Sequence, residues 1–148
     1  MLSLTEKQLL LWRLRRSGLS ISEIASKLGI SRQAVHKSLQ SVESKVYKAL
    51  IAAAKASKTE IRKIDAQKGI LVGWNPGLNT DVYITFSSKN GIQIWFKHER
   101  IDCENCPFKE DCKRVLFDEA EERGILLPKK SDLKPSELAE ILFKKILG

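Results

Sequence analysis

Apolar side chains at helical spacing fill residues 20–40, in two groups that Gly29 separates. Spacings of one, three and four residues within each group place those side chains on one face of a helix. Glycine readily adopts the left-handed backbone conformation that often ends a helix, because it has no Cβ. The pattern therefore predicts two short helices joined by a tight turn, a helix-turn-helix. The apolar positions are Ile24, Ala25, Leu28, Val35 and Leu39.

Hydroxyl side chains stand where these helices are expected to begin. Ser20 can cap the first helix of the pair, and Ser31 can cap the second. Thr5 can likewise cap a preceding helix over residues 6–17, which would pack behind the pair. The first part of the chain is therefore predicted to be a three-helix domain over residues 1–42.

The helical pattern continues without Pro or Gly through residues 43–68. Apolar or small side chains recur there at spacings of three and four, which predicts one long helix. Its apolar surface exceeds what a small domain needs, so we expect it to pair with a second copy of the chain in a homodimer, through a coiled-coil-like seam. The alternative is a helix that links two domains of the same chain. The seam would consist of Val42, Val46, Leu50, Ala53, Ser57, Ile61 and Ile64.

After Gly69 the pattern changes to β-branched and aromatic runs separated by turn sequences. Three such runs predict a three-stranded antiparallel sheet, and Asn90-Gly91 favours a hairpin between the last two strands. Two amphipathic helices follow, and together these elements form a domain over residues 69–148. The predicted strands cover residues 70–75, 81–86 and 91–96. The predicted helices cover residues 111–123 and 136–147.

The expected fold class is therefore α+β. It combines the three-helix helix-turn-helix domain, the long linker or dimerisation helix, and a three-stranded antiparallel sheet with a cysteine knuckle and two helices. Acidic side chains at residues 118–122 are interpreted as a solvated helix face. We find no paired carboxylates, Ser–His–Asp set or phosphate-binding loop in the sequence, so we expect a protein that is not an enzyme.

Positive charge is concentrated in the first half of the chain. Residues 1–68 hold 14 Lys and Arg against 5 Asp and Glu, whereas residues 69–148 hold 12 against 13. A basic half that contains the helix-turn-helix is expected for a protein that binds a phosphate backbone. No apolar run approaches the about 18 residues of a membrane span, and the N-terminus lacks a signal-peptide pattern. We expect a cytoplasmic protein with no membrane partner.

The face of the second helix opposite its apolar stripe is polar and basic, which indicates double-stranded DNA as the partner. Arg can read guanine and Gln adenine, while Lys contacts phosphate, and the helix N-terminus can receive a phosphate as well. Two arginines ending the first helix would either contact phosphates or complement the helix dipole. The alternative is an ordinary helical hairpin with a solvated polar face. The candidate DNA-binding residues are Ser31, Arg32, Gln33, His36, Lys37, Gln40, Arg15 and Arg16.

A cluster of three cysteines is the second feature with chemical content. Cys103-x2-Cys106-x5-Cys112 can bring three thiolates together, and His98 is the nearby candidate for the fourth ligand of a tetrahedral zinc. The same run resembles the three-cysteine end of some iron–sulfur modules. Zinc, an iron–sulfur cluster and no metal therefore remain open. A bound metal would make the protein a metal- or redox-responsive regulator, or would only stabilise this region.

Three runs in the first third carry a family resemblance: Leu4-Thr-Glu-Lys-Gln-Leu, Leu14-Arg-Arg-x-Gly-Leu-Ser, and Glu23-Ile-Ala-x-x-Leu-Gly-Ile-Ser-Arg-Gln-Ala-Val. In these residues the chain resembles archaeal Tfx-type transcriptional regulators and, more distantly, the region-4 fold of sigma factors. The resemblance implies promoter binding by the helix that begins at Ser31. A nonspecific chromatin protein is the remaining alternative, and it would bind DNA without sequence preference.

Overall fold

The computed structural model describes residues 3–97, 105–129 and 133–148. The strands form one antiparallel sheet in the order β1-β2-β3-β4. No helix among the described residues combines the length and the apolar character needed to cross a membrane. The elements are α1 (Glu6–Arg16), α2 (Ile21–Leu28), α3 (Arg32–Ala56), β1 (Glu60–Asp65), β2 (Ile70–Asn75), β3 (Thr80–Ser87), β4 (Gly91–Phe96), α4 (Lys109–Glu122) and α5 (Pro135–Leu147).

The sheet lies between two helical layers, because both of its faces are apolar. One face packs against α3 and against Trp12 of α1. The other face, around Ile70, packs against α4 and α5, and there the ring of Tyr83 stacks on that of Phe143 at 4.5 Å. The side chains that β2 and β3 contribute to the α3 side are Leu71, Val82, Ile84 and Phe86.

The structure has four strands, so the predicted three-stranded sheet is wrong. The additional strand is β1, which lies in the segment predicted to be the end of the long helix. Ile61 and Ile64 are three residues apart, a spacing that places two side chains on one face of a helix. In β1, a β-bulge between Ile61 and Lys63 shifts the strand register by one residue, so this spacing places both side chains on one face of the sheet. Ile61 faces Gly73 and Ile64 faces Leu71 across the ladder, so both isoleucines point to one side of the sheet. The apolar spacing that predicted a helix in this segment therefore belongs to a strand with a bulge.

The predicted helix over residues 43–68 is wrong at its C-terminal end. Helix α3 is continuous from Arg32 to Ala56, so the second helix of the helix-turn-helix and the linker are one element of 25 residues. It ends at Ser57, whose hydroxyl donates to the Ala53 carbonyl at 2.8 Å, and Lys58 then adopts a positive φ of 54°. The helix therefore ends twelve residues earlier than the predicted end at residue 68, and the chain turns back there towards the sheet.

The apolar stripe of α3 packs within its own chain. Val42, Val46 and Leu50 are buried and belong to one cluster with the apolar side chains of β2 and β3. The predicted dimer seam consequently has its central residues covered by the sheet. This arrangement corresponds to the alternative in which the helix links two parts of the same chain.

The acidic segment of α4 is not a solvated face, and that interpretation is wrong. Glu119 is fully buried and forms an ion pair with Arg123 at 2.5 Å, while the Thr85 hydroxyl donates to Glu119 at 3.2 Å. Arg123 also donates to the carbonyls of Gly69 at 3.2 Å and Phe86 at 2.9 Å. Burial raises the pKa of Glu119, and the charge of Arg123 opposes that rise. This network joins the end of α4 to β3 and to the turn that precedes β2.

Candidate nucleic-acid interface

The turn between α2 and α3 is built by short-range interactions. Ser20 caps α2, and Glu23 completes a capping box by accepting from the Ser20 amide. Gly29 ends α2 with φ 67°, in the left-handed region where a Cβ would be strained. Ser31 caps α3 by accepting from the Ala34 amide at 3.1 Å. The predicted caps and turn are confirmed, and they set the angle at which α3 leaves α2.

The core of the three-helix unit fixes which side of α3 faces outwards. Val35 and Leu39 are buried, together with Leu11 of α1 and Ile24 of α2. Because a helix repeats every 3.6 residues, the side chains between these buried positions must face solvent. The exposed polar residues at the N-cap and in the first turns of α3 are Ser31, Arg32, Gln33, His36, Lys37 and Gln40. Six of the eight candidate DNA-binding residues are thus exposed at the start of α3, and this set is here called the recognition face.

Two members of the recognition face already have contacts within the chain. The Ser31 hydroxyl is occupied by its cap, so its contribution to a ligand would come through the orientation of the first amides of α3. An Nη atom of Arg32 lies 3.5 Å from the Ser22 hydroxyl, which leans this arginine towards α2. The remaining polar side chains of the face make no side-chain hydrogen bond or salt bridge within the described residues.

The two arginines that end α1 lie in different surroundings. Arg15 is exposed, and it donates to the Leu19 carbonyl at 2.9 Å in the loop before α2. Arg16 lies over the ring of Trp12, with its Cζ atom 4.7 Å from the ring centroid. Burial lowers the pKa of Arg16, and the charge of Glu43 opposes that effect. Arg16 therefore lies where α1 meets the rest of the fold, apart from the recognition face.

One polar contact that the sequence did not suggest joins α1 to the helical layer formed by α4 and α5, here called the far layer. The indole Nε1 of Trp12 donates to Glu122, at the end of α4, at 3.3 Å. Glu122 also accepts from the amide and the hydroxyl of Ser88. The ring of Trp12 packs edge-on against Phe86 at 5.1 Å. No local pattern could have found a pair separated by 110 residues.

Only part of the cysteine knuckle lies within the described residues. Cys106 and Cys112 are half-buried around the start of α4, and the Cys112 amide donates to the Phe108 carbonyl at 2.9 Å. Cys103 and His98 lie outside the described residues. Within residues 3–97, 105–129 and 133–148 no three His, Cys, Asp or Glu side chains are placed to hold a metal ion together. The metal-site prediction therefore stays a prediction.

The first part of the chain is similar to a known family. Residues 5–55 match a family described as an HTH domain, which covers α1, α2 and nearly all of α3. The match supports a helix-turn-helix DNA-binding domain there, and it does not distinguish Tfx-type regulators from other proteins with this motif. No curated protein and no solved structure significantly matches the chain.

Proposed function

We propose that this protein is a transcriptional regulator that recognises a specific double-stranded DNA sequence through the recognition face of α3. The observation that carries the proposal is the exposed set of hydrogen-bonding side chains in the first turns of a helix within a matched helix-turn-helix domain. In such domains the second helix enters the major groove with its N-terminal residues on the base edges.

The side chains of the recognition face suit different parts of the duplex. Arg32 and Gln33 stand in the first turn of α3 and would make bidentate contacts with guanine and adenine. Lys37 lies one turn further on and would contact a phosphate, which positions the helix without reading sequence. His36 and Gln40 share this exposed face and complete the surface that would enter the groove.

A homodimer remains part of the proposal, since two copies would double the contacts with a palindromic site. Such a dimer would have to use a surface other than the predicted seam, because Val46 and Leu50 are buried against the sheet. Light scattering of the free protein and of its DNA complex would measure the number of copies. With DNA as its partner, the protein would act in the cytoplasm.

The proposal is tested by selecting bound sequences from a pool of random duplexes and then measuring affinity for the selected and for scrambled sequences. We expect one enriched sequence and a binding constant that falls steeply with salt. Gln33→Ala should reduce the preference for the selected sequence, whereas Lys144→Ala, at an exposed position of α5 in the far layer, should leave it unchanged. Equal affinity for every sequence would instead favour a nonspecific chromatin protein.

Binding rather than catalysis is the proposed activity. Incubating the protein with linear and supercoiled DNA in the presence of Mg²⁺ or Mn²⁺ should leave the DNA intact. Cutting that copurifies with the chain would contradict this part of the proposal.

A metal- or redox-responsive regulator is the second candidate, and one contact favours it. Helix α4 begins just after Cys106 and ends at Glu122, which accepts a hydrogen bond from Trp12 of α1. A change at the cysteines could therefore reach the helix-turn-helix through a single helix. Metal and sulfide analysis with an absorption spectrum on anaerobically purified protein tests this candidate. DNA affinity should then change when the metal is removed or oxidised, whereas a purely structural site would change only the unfolding temperature.

A further inference from the structure

The exposed side of α3 does not end where the recognition face ends. The helix has 25 residues, which gives it a length of about 37 Å at about 1.5 Å per residue. Helices α1 and α2 pack against its first part, and the sheet packs against its second part. Both contacts are made on the same apolar stripe, so the opposite side of the helix is exposed along its length in the part of the chain that the structure describes.

Three lysines form one row along this open side. Lys48 follows Lys37 by 11 residues, and Lys55 follows it by 18. At about 100° per residue, both separations return to within about 20° of the starting direction. All three lysines are exposed. The recognition face therefore continues, in the same direction, into a basic stripe that consists of Lys48 and Lys55.

Among the described residues, no acidic side chain forms a salt bridge with the lysines of this stripe. Glu43 is the one acidic residue in α3, and it is half-buried on another side of the helix. None of the three lysines makes a salt bridge or side-chain hydrogen bond with any part of the chain that the structure describes. By contrast, the ammonium of Lys89 lies 3.1 Å from Asp118, and that of Lys45 donates to the Ser3 carbonyl at 3.0 Å.

We propose that Lys48 and Lys55 bind phosphates of the DNA that flanks the bases read by the first turns of α3. This inference rests on the proposed function and extends the DNA contact beyond the helix-turn-helix itself. Lys48 lies about 16 Å beyond Lys37 along the helix axis. That distance exceeds the major-groove width of about 12 Å. With Lys37 at the groove, Lys48 reaches the phosphate strand that borders it, and Lys55 lies further out along the same flank.

Contacts of this kind position a protein without reading sequence. Their loss therefore lowers the affinity for every duplex that includes the flanking phosphates by the same factor, whatever its sequence, and leaves the preference for the selected sequence unchanged. Each lost phosphate contact also reduces the slope of log affinity against log salt by about 0.9. Gln33→Ala has the opposite signature, since it removes base contacts and lowers the preference for the selected sequence.

The test compares Lys48→Gln, Lys55→Gln and the double variant with the wild type and with Lys144→Gln, which changes an equally exposed lysine of α5. Binding is measured over a salt series, on a duplex that carries the selected sequence and on a second duplex trimmed to the bases read by the recognition face. Circular dichroism verifies that each variant is folded, which is expected because these side chains are exposed.

We expect Lys48→Gln to weaken binding to the long duplex several-fold at low salt. The slope of log affinity against log salt should fall by about 0.9, the value for one phosphate contact. Binding to the trimmed duplex should change little. Lys55→Gln should act in the same direction with a smaller effect. Wild-type affinity and salt slope in both variants would overturn the inference while leaving the proposed function intact. Absence of salt-dependent DNA binding by the wild type would overturn both. A change of oligomeric state in the variants would identify this side of α3 as an interface between copies and would also overturn the inference.

Discussion

Helices α3 and α4 are both rich in charge, but they use it in opposite ways. On α3, side chains such as Gln33 and Lys37 are exposed and make no salt bridge or side-chain hydrogen bond with the described part of the chain. At the end of α4, Glu119 and Arg123 are almost completely shielded from solvent and are paired with each other. The polar groups of α3 thus remain available for a partner outside the chain, whereas those of α4 have been used to hold the fold.

The difference follows from what lies next to each helix. Helix α3 contacts the fold on one stripe only, so its remaining sides keep their hydration. Helix α4 presents charged side chains to the end of the sheet, where Thr85 and the carbonyls of Gly69 and Phe86 satisfy them. Buried charge survives only when it is paired and hydrogen-bonded. Substitutions in the buried network at the end of α4 should therefore affect stability, and substitutions on the open side of α3 should affect binding.

The largest effect is expected for Arg123→Ala. It leaves Glu119 buried without its counter-charge and leaves two backbone carbonyls without a donor. We expect a loss of about 3–5 kcal/mol in the free energy of unfolding, measured in urea. Arg114→Ala is the matched control, because its contact with Asp118 at 3.5 Å is made by an exposed arginine, and it should cost less than about 1 kcal/mol. Equal losses in the two variants would mean that the buried network is not a major source of stability.

Gln33→Ala should produce the reverse pattern. Because the side chain is exposed, the free energy of unfolding should change by less than about 0.5 kcal/mol. Discrimination between the selected DNA sequence and its single-base variants should fall by about 1–3 kcal/mol at the position that Gln33 reads. Competition binding with the series of single-base variants measures this. Unaltered discrimination at every position would remove Gln33 from the base-reading set.

Ser31→Ala should lower both the stability of the fold and the affinity for DNA. The hydroxyl satisfies the Ala34 amide at the start of α3, so its loss should cost about 1 kcal/mol of unfolding free energy. DNA affinity should fall as well, because the first turn carries Arg32 and Gln33. Ser31→Asp, which can also cap the helix, should recover the stability but place a negative charge beside DNA phosphates, so binding should stay weak. Full recovery of both properties by Asp would contradict a phosphate near this terminus.

The smallest expected effect is a pH dependence that comes from Glu119. Its pKa in the folded protein is raised by burial, so the folded state holds the proton more tightly than the unfolded state. By linkage, this group's contribution to stability is most favourable below its ordinary pKa and declines as the pH rises through the folded pKa. The free energy of unfolding of the wild type, relative to Glu119→Gln, should therefore decrease as the pH rises from about 4 towards neutrality. A difference that stays constant or increases would show that pairing with Arg123 outweighs burial.

Local signals in the sequence were sufficient to predict which residues of the recognition face are exposed. The caps at Ser20 and Ser31 and the left-handed Gly29 act over three or four residues, so their effect could be predicted from spacing alone. The buried stripe through Val35 and Leu39 then determined which side chains face outwards. The surroundings of Arg16 could not be predicted in this way, because its neighbour Trp12 also contacts residues far along the chain.

The sequence by itself determined where the first helices begin, where α2 ends and which side of α3 is polar, because helix caps and helical periodicity depend on neighbours within a few residues. Only the tertiary structure decided what covers the apolar stripe of α3 and where that helix gives way to β1. It also decided that Glu119 is buried while Lys37 is exposed. These outcomes depend on residues brought together from distant parts of the chain, where desolvation and packing, rather than spacing, determine which groups are paired and which remain open.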